Sequence, residues 1–436
     1  MPRPGETLCA PATGRSLRLP ASVRAALSGR FAVILSGELI QSLFHFVLNI
    51  LLVRALGAHD YGLFAIVFTV GAVSITYIRA LVAIPATLHL ARSLGRPAAL
   101  GYDVMFGSGA ALVSGLMALA TGAALVPVMG LGALAAGAFV ALYGFRSYLR
   151  IVLLARGRPQ IAGLSDLVYA VCGALFVWSG LNGEGTALLE RAFLAIALAH
   201  AIAIAVAYGA LRQRLRLSLH ARARARYRAI WRTLAWSLAG VTSLTVQGQG
   251  LTLLFALIAG PAAYAPIAAT LVLYAPLRIP TNALMNMVLP EISGLLAAGQ
   301  VHAVRRLVVR YALLIGCACL AYGVVMAMTL PLIEQMLFKG RFADERMGLI
   351  GLGVWAVVTV SLLYAIPRAY LEASAAFRTI TAGAVASAAL GFAIMVPLLL
   401  LLPPATALLG LLTSEAATLA WSVGAFRVRT RAPRIP

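Results

Sequence analysis

Twelve apolar runs of about twenty residues decide what this 436-residue chain can fold into. They cover 31–53, 62–84, 104–126, 130–153, 161–181, 187–209, 233–257, 263–287, 308–331, 347–367, 379–400 and 405–425. A helix of that length crosses the roughly 30 Å hydrocarbon core of a bilayer. Lipid offers no partner to a backbone N–H or C=O, so each run must satisfy its own groups, and a helix does so. Only 11% of the residues are charged, against about 25% in a soluble domain. That is too little polar surface for a water-facing shell. The sequence predicts an all-α polytopic membrane protein.

The arginines give the orientation. The net charge is +22 and the only lysine is Lys339. With the N-terminus in the cytoplasm, 28 of the 34 arginines fall on inner segments, including eight between Arg212 and Arg232. The outer turns hold a few basic residues, partly balanced by acids such as Asp60, Glu184, Glu334 and Asp344. This is the positive-inside pattern, so the charge needs no nucleic-acid partner. Both termini are expected in the cytoplasm. Arg79 and Arg278 fall within apolar runs.

The longest inner connection lies midway, and a repeat divides the chain there. GAHDYG at 57–62 corresponds to GPAAYA at 260–265, 203 residues on. Pro85 before LARSLG similarly corresponds to Pro290 before LLAAGQ. Six helices is an even number, so two such halves run the same way and are related by a pseudo-twofold along the membrane normal. The expected organisation is a basic segment 1–30, an N-lobe 31–209, a basic linker 210–232, a C-lobe 233–426 and a tail 427–436.

Polar residues inside spans mark the candidate pathway, because charge at bilayer depth is costly and faces a bundle interior or a wet cavity. Glu38, Gln41, His45 and Asn49 recur at steps of three and four, which places them on one helical face. They either pair inside a packed bundle or line a cavity where Glu38 serves as an ion-coupling acid. Arg79 either snorkels to the interface or grips an anion, for which the guanidinium fork is suited. In the eighth run Tyr274, Arg278, Asn282 and Asn286 recur every four residues among Pro276, Pro280 and Pro290, a polar stripe on a proline-broken helix that suits a pathway wall. Gln247 and Gln249 add to the seventh run. Glu415, in the last run, needs a partner or a proton, with Arg278 or Arg368 as candidates. His200 reads as a packed or hydrogen-bonded histidine.

No GxxxxGK[ST] phosphate loop is present, nor an HExxH or paired-cysteine metal site. The outer turns are too short to hold a polymerase or glycosyltransferase site. Neither an enzyme, a cofactor nor a bound metal is expected.

LLVRALGAHDYGLFAIVFTV, ALIAGPAAYAPIAATLVLY, NMVLPEISGLLAAG and LLGLLTSEAATLAW, in that order, give a resemblance to the multidrug/oligosaccharidyl-lipid/polysaccharide flippase (MOP) superfamily. The chain most resembles the polysaccharide (O-antigen type) branch. The resemblance implies two six-helix lobes and an alternating-access flippase for an undecaprenyl-pyrophosphate-linked oligosaccharide. It would serve exopolysaccharide or lipopolysaccharide biosynthesis in a bacterial inner membrane, beside membrane lipids, a polysaccharide polymerase and glycosyltransferases. A cation-coupled multidrug exporter or a lipid II flippase of the same superfamily are the alternatives, and a non-transporting scaffold is a further one. By analogy Arg79 and Arg278 would meet the pyrophosphate and Glu38 the coupling cation.

Overall fold

The computed structural model describes residues 21–87, 97–180, 185–211, 217–218, 220–342 and 345–431. It is all-helical and crosses the membrane twelve times. The passes are α1 (Ala21–Ala55), α2 (Ala58–Ile78, continuing through a π turn Arg79–Ala83), α3 (Pro97–Met129), α4 (Gly132–Ala155), α5 (Pro159–Gly180) and α6 (Gly185–Leu211). Then come α7 (Ala221–Thr245, a π turn Val246–Gly250 and Leu251–Ala259), α8 (Pro261–Leu273 and Ala275–Ala297) and α9 (Val301–Met336). Last are α10 (Met347–Leu363 and Ala365–Ala373), α11 (Phe377–Leu401) and α12 (Leu408–Arg431).

Eleven of these are long and apolar enough to span, among the described residues. The twelfth pass, α8, is split at Tyr274 within the expected span 263–287, in keeping with the proline-broken helix read from the sequence. Pro276 lacks an N–H and is best placed in the first turn of a helix, and the chain restarts at Ala275 after a break at Tyr274. The expected boundaries also shift at both ends of the chain and at its centre. The N-terminal segment is already helical from Ala21, and the second half of the linker belongs to α7. Its ARARARYRAIWR is built from strong helix formers, so the helix continues beyond the apolar run. α12 likewise runs on to Arg431.

The first six helices pack on one another, α1 on α5, α2 and α3 on α4, and α6 on α4 and α5. The last six form a second group, with α11 on α7 and α12 and α10 on α9 and α12. Hydrophobic sequestration adds little to helix pairing in lipid, so close packing of small residues has to do it. A methyl on Gly137 would meet the Ala118 carbonyl oxygen at 2.8 Å, and one on Gly173 would meet the Phe44 ring at 2.6 Å.

The lobes meet chiefly through α2 and the first piece of α8. The two turns matched in the sequence are the elements that touch there. A Cβ on Gly62 would lie 1.9 Å from the Pro261 carbonyl oxygen, so only glycine admits this approach. Gly260, at φ +86°, turns the chain into Pro261, the first residue of its helix. Nearby, Arg54 Nε donates to the Leu337 carbonyl (2.8 Å) and Arg341 donates back to the Arg54 carbonyl (2.9 Å). The turn end of the molecule is closed by these contacts.

Candidate functional site

A cavity of about 800 Å³ lies between the lobes. α1 contributes Glu38, His45 and Asn49, α2 Phe68 and Arg79, α7 Gln249, α8 Tyr264 and Arg278, and α12 Glu415. Arg79 sits at the start of the π turn in α2 and Arg278 on the second piece of α8, so the two exposed guanidiniums enter from opposite lobes. Neither is ion-paired among the described residues.

The sequence stripe on α1 divides. Glu38, His45 and Asn49 line the cavity, but Gln41 does not. Its amide oxygen accepts from Arg146 Nη2 (2.9 Å) inside the N-lobe. Arg146 is 3% exposed and also donates to Asp166 Oδ1 at 2.6 Å. Arg150, one turn along α4, donates to Asp166 Oδ2 (2.9 Å) and to Glu38 Oε1 (2.8 Å). Two arginines thus hold two carboxylates. The Arg146 guanidinium lies 4.3 Å above the Tyr169 ring, and the Tyr169 hydroxyl meets His45 Nε2 at 2.8 Å. His200 is buried and stacks on Tyr169 at 4.0 Å, with neither ring nitrogen hydrogen-bonded. Asn49 donates to the His45 carbonyl and accepts from the Tyr61 hydroxyl.

Sequence reasoning missed this network. By sequence Arg146 and Arg150 fall among the inner-segment arginines, yet both lie on α4 and bond to groups within the lobe. The signal was there in their spacing of four and in Asp166, a lone acid in an apolar run. Asp166 fits because Gly37 has no side chain, since a Cβ there would stand 2.5 Å from Asp166 Oδ2.

The C-lobe is arranged differently. Glu415 is 7% exposed, and its Oε2 has no hydrogen-bond partner. Tyr364 and Gln247 stand beside the carboxyl, and neither Arg278 nor Arg368 is ion-paired with it among the described residues. Arg368 is itself engaged by Glu372 (3.0 Å). Gln247 does not line the cavity but is buried behind it, with its Nε2 unpartnered, as is Gln249 Oε1. Both glutamines lie on the π turn of α7, a geometry frequent at functional sites. Tyr274 is a correction. It sits at the break in α8, is 3% exposed and donates to the Gly351 carbonyl (3.3 Å), so it is a packed residue and not part of the cavity wall. Asn282 and Asn286 follow on the same helix, but their side chains lie outside the described residues.

The sequence matches no protein-family model and no curated protein. Solved structures do match. An inward-facing multidrug resistance MATE family transporter of the MOP superfamily superposes with TM-score 0.67 at 12% identity, over 89% of this chain and 94% of that one. The fold is that of the MATE transporters. An outward-facing conformation of a multidrug resistance MATE transporter gives TM-score 0.57 at 13% identity, over 92% and 94% of the two chains. The eukaryotic MATE transporter AtDTX14 gives 0.59 at 14%, over 93% and 97%. The MATE fold has twelve transmembrane helices in two lobes, as this chain does.

Proposed function

We propose that this protein is an alternating-access exporter of small amphipathic compounds that carry an anionic group. The fold neighbours support the multidrug alternative better than the lipid-linked oligosaccharide expected from the sequence. A cavity of about 800 Å³ is of the size that takes a drug-like molecule. The observation that carries the charge preference is the pair of arginines. Arg79 and Arg278 reach the cavity from opposite lobes without an ion-pair partner, while Glu38, the exposed acid on the wall, is bonded to Arg150. A cation entering this space meets two like charges; an anion meets two guanidinium forks.

Coupling falls to the C-lobe in this reading. Glu415 keeps an open oxygen beside the π turn and serves as the proton or cation acceptor, whereas Glu38 and Asp166 already have fixed cations on them. The lipid-linked oligosaccharide reading, lipid II included, stays as a second one for a specific reason, since the same two arginines suit a pyrophosphate.

Purified protein in proteoliposomes tests the proposal with size-matched anionic and cationic amphiphilic dyes and an undecaprenyl-pyrophosphate-linked sugar. The anionic dye should be transported, and Arg278→Ala should slow it about tenfold or more, as loss of a charge-assisted hydrogen bond of about 1.5–3 kcal/mol implies. Transport of the cationic dye alone would overturn the charge assignment. Transport of the lipid-linked sugar alone would favour the second reading.

A further inference from the structure

Away from the cavity, α9 carries a second cationic site on its lipid-facing surface. Arg305, Arg306 and Arg310 open a groove of about 1080 Å³ along this helix. All three are exposed, and none is ion-paired among the described residues. Val309, Leu313 and Leu314 line the same groove, and they too are exposed, at 50%, 63% and 57%. Steps of three and four put the six residues on one face, and about 12 Å separates Arg306 from Leu314 along the axis. The face is therefore cationic for two turns and apolar for the next.

Topological anchoring explains positive charge at this end of a span, but it does not call for a groove that runs on into an apolar ridge. The arginines at the start of α7 make a useful contrast. Arg226 there is stacked on Tyr102, 5.3 Å from its ring, and Arg224 and Arg228 line neither of the two grooves described. On α9 the guanidiniums are not ion-paired among the described residues, and the ridge begins beside them. A phosphate diester attached to acyl chains has the complementary layout, with a headgroup that accepts forked hydrogen bonds and a tail that lies on leucine.

We propose that this face of α9 holds an anionic phospholipid from the leaflet at the arginine-rich end, its phosphate between the guanidiniums and an acyl chain along Val309, Leu313 and Leu314. The site is separate from the transport cavity and does not depend on what the cavity carries.

Native mass spectrometry of the full-length protein tests it, with phosphatidylglycerol or phosphatidylcholine supplied at equal concentration. The wild type should retain phosphatidylglycerol at least about tenfold better. The triple variant R305Q/R306Q/R310Q should lose that preference, and R224Q/R228Q should keep it. Leu313→Asn should weaken retention of long-chain phosphatidylglycerol while leaving the short-chain soluble form unchanged, which keeps the acyl contact testable even if the triple variant expresses poorly. Equal retention of the two lipids, or equal loss in R224Q/R228Q, would overturn the site as diffuse attraction. Displacement by inorganic phosphate at matched concentration would overturn the lipid as occupant.

Discussion

In the first lobe the acids beside the cavity are bonded to guanidiniums, Glu38 to Arg150 and Asp166 to Arg146 and Arg150. In the second lobe Glu415, itself buried, keeps one carboxylate oxygen unpaired. The two lobes share a helix layout and yet use acid in opposite ways. A carboxylate held by two fixed cations is a strut, because removing either partner strands a charge in low dielectric. A carboxylate with an open oxygen, near a π turn that carries Gln247 and Gln249, has room to gain a proton or a cation. The difference points to an N-lobe that moves as a rigid body and a C-lobe that changes state.

The largest expected effect comes from breaking the strut. Asp166→Asn leaves Arg146 buried without its carboxylate and should destabilise the protein by about 3–5 kcal/mol, read as thermal unfolding in detergent. A loss of less than about 1 kcal/mol would mean the network is ornamental to stability. Next comes the contact between lobes. In Gly62→Val the new side chain meets the Pro261 backbone, and overpacking of this kind costs about 1–3 kcal/mol. The closed turn end should open, seen as a longer distance between spin labels at His59 and Lys339. An unchanged distance distribution would show that the Gly62 approach does not hold the lobes together. The smallest effect is expected from Glu38→Gln. The Glu38 side chain is 54% exposed, so its ion pair should be worth less than about 1 kcal/mol. A drop in stability comparable with that of Asp166→Asn would place Glu38 among the struts.

Much of the fold was legible because hydropathy and arginine placement are properties of single segments. Span count, lobe division and the pairing of GAHDYG with GPAAYA came from runs of sequence that act locally. The break in α8 was legible from its prolines, but its place at Tyr274 was not. The site was harder. Helical spacing put Glu38, Gln41, His45 and Asn49 on one face, and three of them do line the cavity. Spacing says nothing of which helix stands opposite, so Gln41 was not assigned to Arg146, and Arg150 was not recognised as the partner of Glu38. Tyr274 shows the same limit: a regular step of four included it, and a backbone break turned it into the core. Charge on a helix was legible, and pairing across helices was not.

The distinction between paired and open acid is tested most directly by measuring dye transport in proteoliposomes under an imposed proton or sodium gradient, for the wild type, Glu38→Gln and Glu415→Gln. Glu415→Gln should abolish the dependence on the gradient while Glu38→Gln retains it. Retained dependence in Glu415→Gln, together with its loss in Glu38→Gln, would contradict the assignment of coupling to the C-lobe.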